Sequence, residues 1–424
     1  MVISLGSHGD LFPLMRIALA LQALGRQVTL IAHTHHAPLV RDAGLAFIGL
    51  GTEEAFFEVL NNPDIWHPRK AMAALMRDYG EGLKEVLAAI ESVTCEQPPV
   101  VIAHPFAVPA AAIAREQGRV SAVAAAYLAP SNLRTCHDPL RIGPWSVPRW
   151  VPMGWRRTFW RFVEAGWIDP VALTQVNGVR TPLGLTPVSS FLTHMMAAPD
   201  LSVTLFPPWF APAMPDWPRP LLAGDFQLFE ASRSHDVSAE LLAFLAAGDP
   251  PTVFTAGTAN RHAVRFFKCA LAASQRLGQR AIFLTQDRAQ VPASLPETVL
   301  WQPYVPLSAL LPHAAALVHH GGIGTTAEAL RAGLPQVITP FAWDQFDNGA
   351  RVAALGVGAV LPARTLRSGA LAQKLHRLSA AESVRHSCRR LASHFASPQD
   401  PITWCLELER QLATSGEHAA SASV

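Results

Sequence analysis

Short aliphatic runs alternate with longer amphipathic stretches at the start of the chain. Apolar runs at 2–5, 28–32 and 45–48 are separated by helical patterns at 14–24 and 37–43, and each helical pattern ends at a glycine. Uniformly apolar strands joined by helices are typical of a parallel sheet covered on both faces. The pattern therefore predicts a βαβαβ unit. Only residues 2–5 precede the first glycine loop, which is short for a central strand, so we expect a start upstream of Met1 or a trimmed strand.

The same alternation returns in the second half, with helical patterns at 266–277 and 325–332. We place the boundary near residue 225, which gives an N-terminal Rossmann-like domain over 1–225 and a C-terminal one over 226–398. The proline-rich segment 201–230 is predicted to be an extended connector outside any sheet. The small polar residues 414–424 are predicted to be a disordered tail. Strands are expected at 253–255, 281–284, 298–301, 315–318 and 336–339.

Composition narrows the class of protein. Half of the 424 residues are apolar, 16% are charged and the net charge is +2, which excludes a disordered chain and favours no nucleic-acid partner. The five cysteines form no C-x-x-C pair, so neither a zinc knuckle nor a disulfide framework is predicted. We find no secretory signal pattern and no apolar run of about 20 residues. The sequence predicts a cytoplasmic protein that acts on a small molecule.

A glycine-rich turn follows the strand at 315–318. The run from His319 to Thr326 leads into a helix, and such a turn directs unpaired amides and the positive end of the helix dipole at one spot, which suits a diphosphate. The run lacks the lysine of a Walker loop and the spacing of a dinucleotide fingerprint. The alternative is a tight turn whose glycines serve packing alone. Trp301 ends the preceding strand, and Asp344 and Gln345 follow the next one.

These residues resemble the donor motif of GT-B nucleotide-sugar glycosyltransferases, the family that includes plant, antibiotic and sterol enzymes. The resemblance implies two Rossmann-like α/β domains facing each other across a cleft, with 399–413 as a helix returning to the N-terminal domain. It disfavours a sugar-nucleotide epimerase of the same fold. The matching runs are Trp301-Gln302-Pro303, His319 to Glu328, Gly333-Leu334-Pro335 and Asp344 to Asn348.

The resemblance also implies residue roles in donor binding. Trp301 would stack on the base and Glu328 would hold the ribose hydroxyls, although Tyr304 stands where plant enzymes carry Gln. The diphosphate would meet His320, Gly322, Gly324 and Thr325, a second loop of Gly257 and Thr258 would lie beside it, and Asp344 and Gln345 would hold sugar hydroxyls.

Asp10 is the predicted catalytic base. The run from Gly6 to Pro13 resembles the G-S-x-G-D-x-x-P loop of bacterial members, and the alternative for Asp10 is a helix N-cap. His8 is the second candidate because imidazole titrates near neutrality. No D-x-D carboxylate pair, which metal-dependent transferases carry, occurs in the sequence, so no metal is expected. The resemblance also implies inversion at the anomeric carbon, without a cofactor.

Other histidines are assigned more modest roles. His33, His35 and His36 follow a strand and superficially suggest a metal cluster, but they lack carboxylates at ligand spacing and are interpreted as loop histidines on a polar rim. His104 also follows a strand, where it would face the cleft, and is a candidate for acceptor binding.

An aromatic segment is the candidate for the rest of the acceptor site. Trp145, Trp150 and Trp155 are interleaved with arginines such as Arg149. Large apolar rings beside guanidinium groups suit an anionic amphiphile or the edge of a bilayer, and the alternative is a cover whose tryptophans are simply core.

Within the family, four runs are similar to the rhamnosyltransferases of rhamnolipid synthesis: 61–66, 205–212, 216–218 and 344–348. That likeness implies dTDP-L-rhamnose as donor and a 3-(3-hydroxyalkanoyloxy)alkanoate as acceptor, giving a mono-rhamnolipid, with peripheral contact at the inner membrane. The alternative is transfer of glucose from UDP-glucose to a sterol, a polyketide or another hydrophobic alcohol. Stacking on Trp301 does not distinguish thymine from uracil.

Overall fold

The chain divides into two compact units. The computed structural model describes residues 1–67, 69–138, 140–143, 145–229 and 238–421. One unit comprises Met1–Phe229 together with Gln399–Val424, and the other comprises Glu230–Pro398.

Most strands are short and buried. In chain order they are β1 Val2–Ile3, β2 Thr29–His33, β3 Ala46–Leu50, β4 Val100–Ala103, β5 Ala122–Tyr127, β6 Leu140–Ile142, β7 Trp145–Val147, β8 Leu201–Thr204, β9 Leu221–Ala223, β10 Thr252–Thr255, β11 Ala281–Leu284, β12 Val299–Gln302, β13 Ala316–His319, β14 Gln336–Ile338 and β15 Gly358–Val360.

Helices connect nearly all of these strands. They are α1 His8–Ala23, α2 Ala37–Asp42, α3 Glu53–Asn61, α4 Ala71–Met76, α5 Tyr79–Ser92, α6 Val108–Glu116, α7 Met153–Val163, α8 Asp169–Arg180, α9 Phe191–Ala197, α10 Ala239–Ala246, α11 Val264–Leu277, α12 Leu307–Leu310, α13 Ile323–Arg331, α14 Gln345–Ala354, α15 Ser368–Ala380, α16 Glu382–Ala392 and α17 Pro401–Ser421.

The N-terminal unit is built on a parallel sheet in the order β3-β2-β1-β4-β5-β8-β9. Although β1 is short, Val2 pairs with Leu30 on one side and with Ile102 on the other. Every residue of β5 is buried, as expected for a strand covered on both faces. The predicted βαβαβ start is therefore confirmed. Outside this sheet, β6 and β7 form an antiparallel pair.

The proline-rich segment 201–230 is not entirely an extended connector, and that prediction is wrong at both of its ends. Leu201–Thr204 forms β8 and Leu221–Ala223 forms β9, and the two strands pair in parallel at the edge of the sheet. The prolines lie between these strands, from Pro207 to Pro220, so they remove no donor from the ladder. Composition averaged over the whole segment hid the apolar residues at its ends.

Helix α17 packs in the N-terminal unit. Trp404, Cys405 and Leu408 join Leu14 and Ile17 of α1 in one hydrophobic cluster. The Trp404 indole donates to the carbonyl oxygen of Ala223 at 3.3 Å. The helix extends to Ser421, into the segment predicted to be a disordered tail. Residues 422–424 lie outside the described part of the chain.

The C-terminal unit repeats the arrangement with the order β12-β11-β10-β13-β14-β15, all parallel. In both units the strand order runs outward from a central pair, β1 with β4 and β10 with β13, which is the doubly wound pattern. The prediction of two parallel α/β domains is confirmed. Across the described residues, no helix combines the length and the apolar character that crossing a bilayer requires.

Candidate functional site

The N-terminal candidate site lies where the strand order reverses, between β1 and β4. Ligands of doubly wound sheets bind at this point, beyond the carboxyl ends of the strands. The first turn of α1, which follows β1, carries Asp10, and the loop after β4 carries His104. His104 Nε2 lies 3.6 Å from Asp10 Oδ1, so the fold brings a predicted base and a predicted acceptor-site residue together.

Asp10 closes a capping box at the start of α1. Ser7 is the N-cap: its hydroxyl accepts from the Gly9 amide at 3.3 Å, and its own amide donates to Asp10 Oδ2 at 2.8 Å. The alternative of Asp10 as N-cap is therefore wrong, because Ser7 holds that position. Gly6 has φ +124°, and a Cβ there would lie 2.3 Å from Asp10 Oδ2. Only glycine leaves room for this carboxylate.

His104 directs its Nε2 toward Asp10. It is 6% exposed, and its Nδ1 accepts from the Phe106 amide at 3.3 Å. A neutral imidazole that accepts at Nδ1 carries its hydrogen on Nε2, the nitrogen that faces Asp10. The pair thus has one oxygen of Asp10 bound by Ser7 and the other oriented toward His104. The spacing of these residues in the chain does not predict their contact, because it does not show that β1 and β4 are adjacent strands.

His8, the second candidate for catalysis, lies among other histidines. Its ring centroid is 5.1 Å from that of His36 and 6.1 Å from that of His35. Burial, then the neighbouring His36 and His35, lowers the pKa of His8 to about 4. The interpretation of His33, His35 and His36 as a polar rim is wrong for His36, which is 2% exposed and packs edge-on to Phe56.

The C-terminal candidate site lies at the corresponding point between β10 and β13. The loop after β10 carries Gly257, and the loop after β13 carries His320. A Cβ on Gly257 would lie 2.7 Å from His320 Cε1, and a Cβ on Gly322 would lie 2.4 Å from His320 Nε2. Both predicted glycine loops therefore enclose one imidazole.

His320 stands beside an uncapped helix start. Gly322 is the N-cap of α13 and no side chain caps that end, while Gly324 and Thr325 occupy the first turn. Burial lowers the pKa of His320 to about 4, and its Nδ1 has no hydrogen-bond partner among the described residues. A neutral imidazole and open amides at a helix N-terminus suit an anionic ligand. Thr258 follows Gly257 and is exposed.

We expect Gly257→Ala to weaken nucleotide binding. Gly257 has φ +86°, and the added Cβ would displace the His320 ring. Calorimetry should show at least about a tenfold loss of affinity for a nucleoside diphosphate, which corresponds to about 1.4 kcal/mol. Gly248→Ala is the control, because the nearest atoms to its Cβ lie 3.5 Å away on the flexible Arg280 side chain. Equal affinity in Gly257→Ala and wild type would contradict the placement of this loop.

The lowered pKa of His320 also predicts acid sensitivity. Its folded pKa of about 4 lies below the ordinary value of 6.5, so the unfolded chain takes up the proton first as the pH falls. Stability from the neutral imidazole is complete above pH 6.5 and is lost toward pH 4. When the pH falls from 7.5 to 5.5, the free energy of unfolding should decrease by about 1 kcal/mol less in His320→Gln than in wild type. Denaturant melts at the two pH values test this difference, and equal losses would contradict it.

Trp301 and Glu328 are fixed by polar contacts. The Trp301 indole donates to the carbonyl oxygen of Thr285 at 2.9 Å, and Arg288 lies over its ring at 5.7 Å. Glu328 accepts from Arg331 at 2.7 Å. Base stacking and ribose binding stay predictions. Arg288 was missed by the sequence analysis, because nothing in its spacing connects it with Trp301.

Tyr304 lies close to Glu328. Burial, and then the carboxylate of Glu328, raises the pKa of the Tyr304 phenol. The position where this chain departs from plant enzymes therefore adjoins the residue predicted to bind the ribose.

Asp344 and Gln345, the candidates for sugar binding, are held by hydrogen bonds at the start of α14. Asp344 Oδ2 accepts from Asn348 Nδ2 at 2.7 Å, and the same nitrogen donates to the Gly321 carbonyl at 2.9 Å. Gln345 Oε1 accepts from the backbone amides of Phe341 and Ala342, at 2.8 and 3.2 Å. Only the amide nitrogen of Gln345 is then left for a sugar. The bracing role of Asn348 was missed, although its i, i+4 spacing from Asp344 could have indicated it.

The aromatic segment is largely exposed. Trp145, Trp150 and Trp155 are 45%, 82% and 74% exposed, so the interpretation of these tryptophans as core is wrong. Arg149 donates to Asp138 at 2.8 Å. Arg156, by contrast, is 7% exposed, and its Nε and Nη1 have no partner among the described residues. The mixed pattern of tryptophans and arginines does not distinguish Arg156 from its neighbours, because it does not show which side chains are buried.

Sequence comparisons relate the chain to glycosyltransferases. Residues 271–409 match the family described as erythromycin biosynthesis protein CIII-like, C-terminal domain. O-mycaminosyltylonolide 6-deoxyallosyltransferase of Streptomyces fradiae is 28% identical over 97% of each chain. Sterol 3-beta-glucosyltransferase UGT80B1 of Arabidopsis thaliana is 26% identical over 84% of this chain and 59% of its own length.

Solved structures share the fold. The glycosyltransferase of kitacinnamycin superimposes with a TM-score of 0.73 at 20% identity, covering 97% of this chain and 98% of the other. Spinosyn rhamnosyltransferase SpnG, in complex with thymidine diphosphate, superimposes with a TM-score of 0.66 at 19% identity, covering 96% and 99%. Together with the two doubly wound units, these matches show that the chain has the GT-B fold, and the sequence relatives that span most of its length are glycosyltransferases.

Proposed function

We propose that this enzyme inverts the anomeric carbon as it moves L-rhamnose from dTDP-L-rhamnose to the hydroxyl of a lipidic acceptor. The observation that carries the proposal is the Asp10 carboxylate, placed by Ser7 and facing His104 at the reversal point of the N-terminal sheet. Asp10 takes the proton of the acceptor hydroxyl, whose oxygen forms a bond to the anomeric carbon while the bond to the diphosphate breaks.

Hydrogen-bond donors of the protein stabilise the negative charge of the leaving diphosphate. The uncapped N-terminus of α13 and the neutral imidazole of His320 offer N–H donors to the charge that develops on the diphosphate oxygens. This arrangement supports transfer without a metal or another cofactor.

The donor preference is supported by relatives with deoxysugar chemistry. Spinosyn rhamnosyltransferase SpnG carries thymidine diphosphate, and the relative from Streptomyces fradiae is named for a 6-deoxyallosyl group. The alternative is UDP-glucose with a sterol or another hydrophobic alcohol, which the sterol glucosyltransferase of Arabidopsis thaliana favours.

A 3-(3-hydroxyalkanoyloxy)alkanoate fits the chemistry of the aromatic segment. It has two apolar chains, a hydroxyl and a carboxylate. Exposed tryptophans offer apolar surface for the chains, and the unpartnered nitrogens of Arg156 are donors that a carboxylate could accept. Two buried guanidinium nitrogens without an acceptor are costly, which makes Arg156 a stronger candidate than the ion-paired Arg149.

Calorimetric titration with dTDP and with UDP, in buffer containing EDTA, tests the donor assignment. We expect tighter binding of dTDP. Tighter binding of UDP would favour the glucosyl alternative, and binding of neither would contradict the donor site.

The exposed aromatics also predict contact with a membrane surface. Trp150, Trp155 and Phe162 are 82%, 74% and 75% exposed, and the exposed Arg157 and Arg161 lie beside them in α7. Aromatic rings beside cations favour an anionic bilayer interface. Replacing all three aromatics with Ala should lower cosedimentation with anionic phospholipid vesicles at least about tenfold, since each ring buries a large apolar area there.

The control for this experiment is Leu242→Ala, which removes another exposed apolar side chain, 56% accessible, from the C-terminal unit. It should bind vesicles like wild type. Unchanged sedimentation of the triple variant, or none by wild type, would contradict membrane contact.

A further inference from the structure

Three histidines of the N-terminal unit converge although they belong to two separate segments. His8 opens α1, whereas His35 and His36 follow β2. One ring nitrogen from each lies within 4.8 Å of the others. The sequence alone does not connect His35 and His36 with His8, because the two segments come together only through the parallel pairing of β1 with β2.

The ring positions are close to those around a metal ion. Centroids of the three imidazoles are 5.1, 5.4 and 6.1 Å apart. A tetrahedral zinc with Zn–N bonds of about 2.0 Å would separate the centroids of three imidazole ligands by roughly 5 Å. If the rings of His8 and His35 moved slightly closer together, the three imidazoles would have the spacing expected around a tetrahedral zinc ion.

The hydrogen bonds of two rings leave the opposite nitrogens available as ligands. His36 Nε2 donates to the Gly6 carbonyl at 3.0 Å, and its Nδ1 is buried without a partner among the described residues. His36 is 2% exposed, so this lone pair is an unsatisfied polar atom in the interior. His35 Nδ1 lies 3.1 Å from Glu53 Oε1, which makes Nδ1 the donor and Nε2 the free nitrogen. Metal-binding histidines are commonly oriented by a carbonyl or a carboxylate in this way.

Aromatic side chains surround the cluster. Phe56 stacks on His35 at 5.1 Å, Phe57 meets it edge-on at 4.8 Å, and Phe12 lies 5.4 Å from His8. An apolar shell around a metal site limits the access of water and lowers the local dielectric constant.

We propose that His8, His35 and His36 form a zinc site with an open fourth position for water or an anionic oxygen. Three imidazole nitrogens suit Zn²⁺ and exclude Mg²⁺, which prefers oxygen ligands. Bound zinc links the loop after β2 to the first turn of α1, which also carries Asp10. The site is separate from the transfer chemistry, which uses no metal in the mechanism above.

Zinc titration of the untagged full chain, after dialysis against EDTA and then metal-free buffer, tests the site. We expect wild type to bind one equivalent of Zn²⁺ and no Mg²⁺, and to show a raised Tm with zinc. His36→Ala and His35→Ala should each weaken zinc binding at least about tenfold, and Glu53→Ala, which removes the orienting carboxylate, about tenfold. Since His36 is buried, the partly exposed His35 keeps the test valid if His36→Ala does not fold.

His33→Ala is the matched control, because His33 lies in the same segment, 6.5 Å from His36 between centroids, and is not one of the assigned ligands. It should bind zinc like wild type. Wild type without bound zinc, unchanged affinity in His35→Ala and His36→Ala, or equal loss in His33→Ala would overturn the proposal. A thiolate charge-transfer band with Co²⁺ would assign the metal to cysteine and overturn it as well.

Discussion

Asp10→Asn should lower kcat for glycosyl transfer about a thousandfold, because the acceptor hydroxyl then loses its base. The amide oxygen of Asn can still accept from the Ser7 amide, as Asp10 Oδ2 does at 2.8 Å, so the start of α1 should be retained. The affinity for the nucleotide should remain that of wild type, because Asp10 belongs to the other unit from the donor residues. Initial rates with saturating donor, and calorimetry with dTDP, measure the two effects.

Asp42→Asn is the control for this change, because it neutralises an exposed carboxylate at the end of α2 in the same unit. It should retain full activity. If Asp10→Asn kept more than about a tenth of wild-type kcat, Asp10 would not be the base. His104 Nε2 lies 3.6 Å from Asp10 Oδ1, so we expect His104 to position the carboxylate. His104→Gln should therefore lower kcat less than Asp10→Asn does.

His320→Ala should weaken dTDP binding at least about tenfold and lower kcat about a hundredfold. A hydrogen bond to a charged group contributes about 1.5–3 kcal/mol, and donors aimed at developing charge act mainly on the transition state. His320 is suited to this role because it is neutral at pH 7 and is enclosed by Gly257 and Gly322.

His313→Ala removes an exposed histidine from the same unit and should change neither quantity. Loss of affinity without loss of kcat in His320→Ala would mean that the imidazole binds the ground state and the transition state equally, and so does not assist departure of the diphosphate. Wild-type values of both dTDP affinity and kcat would show that His320 does not bind the diphosphate.

The repeated α/β pattern could be predicted because buried parallel strands are uniformly apolar and are separated by helices that end at glycine. The order in which the strands lie side by side in each sheet could not be predicted. The pairing of β1 with β4 places His104 beside Asp10, and the pairing of β10 with β13 places Gly257 against His320. Such contacts join residues far apart in the chain, and no spacing rule relates them.

Burial was the second quantity that the sequence did not provide. Arg149 and Arg156 stand in the same basic aromatic segment, yet Arg149 is paired with Asp138 and Arg156 is buried with unpartnered nitrogens. The same reason applies to His36, which was assigned to a polar rim and is buried. Local composition fixes neither which side of a short helix faces the core nor which loop covers it.

The most direct measurement is a transfer assay in EDTA with dTDP-L-rhamnose and a 3-(3-hydroxyalkanoyloxy)alkanoate, followed by mass spectrometry and by NMR of the anomeric centre. We expect a product one deoxyhexose heavier than the acceptor, with the anomeric configuration inverted relative to the donor, and almost none with Asp10→Asn. A product of retained configuration, or equal product with Asp10→Asn, would contradict the mechanism. No product with this donor, but transfer from UDP-glucose to a sterol, would contradict the rhamnosyl assignment.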